Sequence, residues 1–199
     1  MSTDTEFHIH HDAPEVVGRR ERLGVRLLIV ADGSFVFAMI FSYFYLRNLN
    51  ANNGWLPKGA HYLHASSGWV VIIPLIIAAL AHRAAEKRRE SFGILSLLTL
   101  IALLVGAYFQ WRQISHMPFI THDTGVFEGS YASMWLLIAS ANLFHYLVGS
   151  FVALGLVLRA RRANIDPILE TWRLRTAGSW FTWIAISGIA CALTTTFIR

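Results

Sequence analysis

Residues 23–46 read LGVRLLIVADGSFVFAMIFSYFYL and carry a single acidic side chain, Asp32, near their middle. The stretch is longer than the ~20 residues that an α-helix needs to cross the ~30 Å hydrocarbon core of a bilayer. A carboxylate at that depth costs a few kcal/mol unless it is protonated or partnered, and such residues mark functional sites. We therefore expect Asp32 to face a polar group of another helix.

The whole chain has the composition of one small membrane protein. Its 199 residues are 55% hydrophobic and 15% charged, which is too apolar for a soluble domain. Five apolar stretches lie at 23–46, 66–82, 92–111, 131–158 and 177–198, and they lack the alternating polar positions of barrel strands. The predicted fold is all-α: a bundle of five transmembrane helices over 23–199, preceded by a polar, mobile cytoplasmic segment at 1–22.

The basic residues predict the orientation of this bundle. Of the 17 Lys and Arg residues, all but Arg47, Lys58, Arg112 and Arg199 lie at or before the start of the first span, between spans two and three, or between spans four and five. Because short cytoplasmic loops are enriched in Lys and Arg, the amino terminus is expected inside and the carboxy terminus outside, on the periplasmic side. The net charge of +5 is thus a topology signal, and without a basic face no nucleic-acid partner is expected.

A second polar position lies in the fourth span. A stripe of small residues with one histidine recurs there every four positions: Ala141, His145, Gly149 and Ala153. Such a stripe lets another helix approach closely, and Asn142 borders the same face. At ~1.5 Å per residue, Asp32 lies about 14 Å and His145 about 20 Å from the cytoplasmic ends of their spans. We hypothesise a polar network of Asp32, His145 and Asn142, direct or through water, that either pins helices together or handles protons, the structural role being favoured.

Other polar and aromatic positions are predicted to be structural. The third span carries Gln110 and Gln113 near its outer end, where helix packing and a wet helix end explain them. Five tryptophans near predicted span ends are expected to be interfacial anchors: Trp55, Trp69, Trp111, Trp172 and Trp180.

The histidines do not predict a cofactor in this chain. Haem or copper in a membrane needs ligands from facing helices at matching depth, and His145 is the only histidine near mid-bilayer. The tract His8, His10 and His11 is too unspecific to predict a metal site. Since no nucleophile elbow, glycine-rich phosphate loop or carboxylate pair occurs either, we expect no metal, no cofactor and no catalytic residue.

Several motifs occur in one order over residues 23–160. GVRLLIVAD ends at Asp32 and is followed by an aromatic-rich helix end. Gly106, Phe109 and Gln113 form a Gly-x-x-Phe-x-x-x-Gln stretch. EGSYAS, which begins at Glu128, leads to Asn142, His145 and Gly149. This series resembles haem-copper oxidase subunit III, in which corresponding positions hold a membrane acidic residue, the Gly-Phe-Gln stretch, and a His-Gly-x-His motif with a downstream glycine. Asp32 replaces the usual glutamate and Asn142 the first histidine.

The resemblance implies the five-helix form of that family and a non-catalytic role. The chain would be subunit III of a respiratory oxidase of the cytochrome c oxidase type in the bacterial inner membrane. It would pack against catalytic subunit I, beside subunit II and other subunits of the complex, bind phospholipid, and support proton uptake and stability during turnover. Haem and copper, and with them electron transfer and oxygen reduction, would belong to the partner subunits.

Three alternatives remain open. One is an accessory subunit of a nitric oxide reductase from the same superfamily. Another is a small proton-coupled transporter with Asp32 and His145 as a relay, which the lack of an internal inverted repeat weakens. The third is a haem-binding membrane anchor. The electron donor, cytochrome c or quinol, is not decided by these residues.

Overall fold

The computed structural model describes residues 12–56, 61–116, 129–160 and 166–198, and in these ranges the protein is helical without strands. Five helices are long and apolar enough to cross a membrane. They are α1 (Pro14–Leu49), α2 (Ala65–Lys87), α3 (Phe92–Ser115), α4 (Gly129–Arg159) and α5 (Pro167–Ala192). The last helix continues as a π-helical segment, Leu193–Phe197, and short 3₁₀ turns lie at Ala51–Asn53 and Arg89–Ser91. For the described residues, the prediction of an all-α chain with five helices long and apolar enough to cross a membrane is confirmed.

Two helices begin well before the predicted apolar stretches. Helix α1 begins at Pro14 and not at 23, so the end of the predicted polar segment 1–22 is helical. Proline suits this place because its missing N–H would have no partner in the first turn. Helix α5 begins at Pro167 and not at 177, and the carboxylate of Asp166 caps it by accepting from the N–H groups of Ile168 and Leu169. Residues 1–11, with the histidine tract, lie outside the described residues.

Helices α2 to α5 form the core, and α1 packs on α5 and α4. The largest fully buried side chains include three tyrosines and one phenylalanine: Tyr43, Tyr131, Tyr146 and Phe181. Helix α1 buries only a narrow stripe, and its other side exposes large apolar side chains such as Leu27, Val30 and Phe37. That exposed side suits a lipid or protein environment better than water.

The basic stretches of the sequence meet at one end of the bundle. Arg22 of α1, Arg83 of α2 and Arg175 of α5 line one cavity. Arg159 at the end of α4 and Arg173 of α5 line a neighbouring groove. We call this end of the bundle the basic end.

Candidate functional site

Asp32 is held by side chains from two other helices. Oδ1 lies 2.9 Å from Nε2 of His145 on α4, and Oδ2 accepts a 2.6 Å hydrogen bond from the indole Nε1 of Trp183 on α5. An ionised carboxylate only accepts hydrogen bonds, so with Asp32 ionised the Nε2 of His145 carries the hydrogen. We call these three residues the Asp32 site. The predicted pairing of Asp32 with His145 is direct, whereas Trp183 did not figure in the sequence-based network.

The site lies between three helices and is largely closed to the surroundings. The Asp32 side chain is 16% exposed and that of His145 5%. Trp180, one turn before Trp183, packs edge-on against the imidazole with ring centroids 6.1 Å apart. Gly33 gives the indole room, since a Cβ there would lie 3.3 Å from Cη2 of Trp183. A carboxylate and an imidazole in such surroundings can share a proton, while the indole N–H fixes the orientation of the carboxyl group.

Two of the five tryptophans predicted as interfacial anchors, Trp55 and Trp180, are buried instead, whereas Trp69 and Trp111 are exposed. Trp180 is 6% exposed and Trp55 5%, so neither is an interfacial anchor. Trp180 packs on His145, and Nε1 of Trp55 donates to the hydroxyl of Tyr62 at 3.2 Å. Tryptophan has a large apolar body with one donor, which suits a protein interior when a polar partner is in reach. Trp183 could have been found only through its indole N–H, a donor that needs a partner within a membrane span.

Asn142 does not bond to the Asp32 site. Its Nδ2 donates to Oε1 of Gln110 at 2.9 Å. The Nε2 of Gln110 in turn donates to Oε1 of Gln113 at 3.3 Å. The Nε2 of Gln113 then donates to the Ser67 carbonyl at 2.8 Å. We call Asn142, Gln110 and Gln113 the amide chain. Two side chains that are three residues apart on an α-helix differ in direction by about 60°. Asn142 is therefore turned toward α3 while His145 meets α1.

The amide chain borders a small polar cavity. The cavity measures about 20 Å³, and its lining combines the three amide residues with Ser67 and Thr195. That volume is room for about one water molecule. Polar groups of α2, α3, α4 and the π-helical end of the chain thus come together beside the amide chain.

We expect the amide chain to stabilise the bundle as a unit. Gln110→Leu removes the acceptor of the buried Asn142 amide and should lower the free energy of unfolding by about 1 kcal/mol. Replacing Gln110 and Asn142 together by leucine should cost less than the sum of the two single changes, because neither residue then leaves the amide group of the other without its partner. Unfolding of the purified chain in mixed micelles, followed by circular dichroism, measures all three variants. Strictly additive costs would show that the two amides are not coupled.

The family-motif positions have different surroundings. Gly106 lies against the ring of Tyr146, whose hydroxyl donates to the Val71 carbonyl at 2.6 Å. Gly149 lies where a Cβ would be 2.9 Å from Cδ1 of Ile184. Gln113 belongs to the amide chain, Phe109 is 41% exposed, and Glu128 lies outside the described residues. The two glycines thus mark places where helices approach closely.

A buried histidine near the basic end was also missed. His82 is fully buried, and its Nε2 lies 3.0 Å from the Leu174 carbonyl and 3.5 Å from Oε1 of Glu86. His82 is the last residue of the predicted span 66–82, and hydropathy does not indicate whether a residue at a span end is buried. Within the described part of the chain, no three His, Cys, Asp or Glu side chains converge as metal ligands would. The expectation that this chain holds no metal or cofactor stays a prediction.

Neither a protein-family model nor a curated protein matches this sequence.

Proposed function

We propose that this chain is subunit III of a respiratory haem-copper terminal oxidase, a non-catalytic subunit beside catalytic subunit I. The observation that carries the proposal is the Asp32 site: an acidic residue within the first span, with each carboxylate oxygen bonded by a different helix. Asp32 also ends the first motif of the series that resembles this family. The close packing at Gly106 and Gly149 further supports the assignment, since both belong to that series.

In this proposal the chain's own residues handle a proton and maintain the bundle. Asp32 and His145 hold a proton between Oδ1 and Nε2, and Trp183 orients the carboxyl group through Oδ2. The site supports proton uptake and stability during turnover in the complex. Haem and copper lie in the partner subunits and supply the electron transfer and oxygen reduction.

The proposal includes a bacterial inner membrane and a cytoplasmic amino terminus. Its support is the gathering of three basic stretches at one end of the bundle, since Lys and Arg are enriched on the cytoplasmic side. A groove of about 490 Å³ between α1, α4 and α5 has mostly apolar walls, among them Leu28, Val152 and Trp180. These walls suit the acyl chain of a bound phospholipid.

The test is purification through a tag on this chain in mild detergent. We expect a haem-containing catalytic subunit in the eluate by mass spectrometry, a haem spectrum, and oxygen consumption with a suitable donor. Membranes with the untagged chain, taken through the same steps, are the control. A nitric oxide reductase core in the eluate would move the chain to that branch of the superfamily. A colourless protein that elutes without any partner subunit would contradict both assignments.

A second candidate function, a small proton-coupled transporter, is favoured by the contact between Asp32 and His145. A relay needs two titratable groups within hydrogen-bond reach, and these two groups are 2.9 Å apart. Proton-driven uptake by the purified chain in vesicles, lost in Asp32→Asn, would support this candidate. An inactive chain that copurifies with an oxidase would exclude it.

A further inference from the structure

A cavity of about 530 Å³ opens at the basic end between α1, α2 and α5, and we call it the basic cavity. Its charged lining consists of four cationic side chains and one carboxylate: Arg22, Arg83, Lys87, Arg175 and Glu86. Ser179 and Thr182 add hydroxyl groups from α5, and Gly178 leaves room for the Glu86 carboxylate, which a Cβ there would overlap. The cations come from three helices that meet only in the folded chain. Together they form a concave site. Basic residues that only determine the membrane topology would not need to converge in this way.

The four cations of this cavity outnumber its one carboxylate, and the described residues do not neutralise them through ion pairs. Glu86 lies next to His82, and none of the four cations forms an ion pair in the ranges that the structure covers. The Nε of Arg22 is buried there and has no hydrogen-bond partner among those residues. Uncompensated guanidinium groups around a concavity are the usual donors to a phosphate oxygen.

The neighbouring groove shows the opposite arrangement. Its mouth also carries two arginines, but Arg159 bonds to Glu170 at 3.2 Å and Arg173 bonds to Glu21 at 3.4 Å. The arginines of that groove are paired with carboxylates of the protein. Both sites lie at the basic end, so position does not distinguish them. The basic cavity differs from the groove because its cations are unpaired.

Apolar surface continues from the basic cavity toward the middle of the membrane. On α5, Arg175, Ser179, Thr182 and Ile186 follow one another at spacings of four, three and four residues, so they share one face. Ile186 is 57% exposed. On α2, Leu80 lies one turn before Arg83 and is 60% exposed. A ligand that fits both parts has an anionic head and apolar tails.

We propose that the basic cavity binds the phosphate headgroup of an anionic phospholipid, whose acyl chains lie along the exposed surface near Leu80 and Ile186. Basic pockets between transmembrane helices at the membrane surface bind such headgroups. The apolar continuation favours a lipid over a soluble phosphate compound. The site is separate from the Asp32 site, and it does not depend on membership of an oxidase.

The test is a titration of the purified full-length chain with phosphatidylglycerol or phosphatidylcholine, with bound lipid counted by native mass spectrometry. We expect retention of phosphatidylglycerol in preference to phosphatidylcholine. In Arg83→Gln/Arg175→Gln, the affinity for phosphatidylglycerol should fall about 25-fold, at about fivefold for each of the two cations. The matched control is Arg26→Gln/Arg88→Gln, which removes the same charge from two exposed arginines outside the cavity lining. The control variant should retain its affinity within about twofold, because surface charges act weakly at a distance.

Three results would overturn the proposal. Equal retention of both lipids would mean that no anion is selected, and an equal loss in both double variants would mean that only overall charge matters. Full displacement of the lipid by millimolar inorganic phosphate would assign the cavity to a soluble phosphate ligand. If the cavity variant does not fold, as judged by circular dichroism, the exposed Lys87→Gln replaces it with an expected fivefold loss. A chain that binds phosphatidylglycerol but copurifies with no oxidase would leave this inference intact and contradict only the proposed function.

Discussion

Gly106→Ala is expected to lower the free energy of unfolding of this chain by about 3 kcal/mol, the upper part of the range for overpacking a rigid interior. A methyl group at Gly106 would overlap the ring of Tyr146. That ring is fully buried, and its hydroxyl is bonded to the Val71 carbonyl at 2.6 Å. The ring cannot move aside without breaking this bond between α4 and α2. Unfolding in mixed micelles, followed by circular dichroism, measures the loss.

Gly155→Ala is the matched control for this prediction. Gly155 also lies within a membrane helix, but a Cβ there would meet nothing within 4 Å. The control should be neutral or gain up to about 1 kcal/mol, because alanine favours helix over glycine. In a Tyr146→Ala background, the cost of Gly106→Ala should disappear, since the overlapping ring is gone. Equal effects of the two glycine changes would refute the steric explanation.

The five helices could be predicted because membrane insertion depends on local hydropathy. Each span is a continuous apolar stretch, and in lipid only a helix satisfies its backbone within one segment. The ends of the helices were harder to predict for the same reason. The charged and polar residues between Pro14 and Leu23 continue α1, and Asp166 caps α5 ahead of the apolar stretch. Helix formation persists outside the hydrocarbon core, where hydropathy has no signal.

The pairing of Asp32 with His145 could also be expected from the sequence. A carboxylate in an apolar span requires a partner, and one histidine occurred at a similar depth. Trp183 was not predicted because an indole in a sequence is interpreted as an apolar or interfacial group. Its hydrogen-bond partner becomes evident only when the position of the N–H group is known. The partner of Asn142 depended on how α4 is rotated between α1 and α3. Such rotation follows from the packing of all five helices, which a single sequence does not specify.

Asp32→Ala is expected to destabilise the chain by about 3 kcal/mol, as the removal of one member of a buried pair typically does. The change leaves Nε2 of His145 and Nε1 of Trp183 without their acceptor, in surroundings with little access to water. The control is Ser34→Ala, two residues along α1, because Ser34 is exposed and its hydroxyl bonds only to the Val30 carbonyl of its own helix. That variant should unfold like the parent chain. An equally large loss of stability in Ser34→Ala would show that any substitution in this part of α1 destabilises the chain.

Replacing the whole pair should be milder than breaking it. In Asp32→Leu/His145→Leu no charged group remains without its partner, so the double variant should be closer to the parent chain than either single leucine variant. The resulting coupling energy between Asp32 and His145 should be about 1–3 kcal/mol, as for other side chains in contact. Additive single effects would mean that the 2.9 Å contact contributes nothing to the bundle.

Asp32→Asn separates the structural role from proton handling, because asparagine still accepts the Trp183 hydrogen bond but has no titratable carboxyl group. In the proposed oxidase we expect this variant to assemble with the catalytic subunit and to slow proton uptake during turnover. The leucine pair should assemble too, with the same slow uptake, since it also lacks the carboxyl group. Assembly and uptake that both match the parent complex would leave the Asp32 site as a purely structural clamp of α1, α4 and α5. Lost assembly in Asp32→Asn, with the leucine pair still assembled, would mean that a mismatched polar partner disturbs the clamp more than an apolar one.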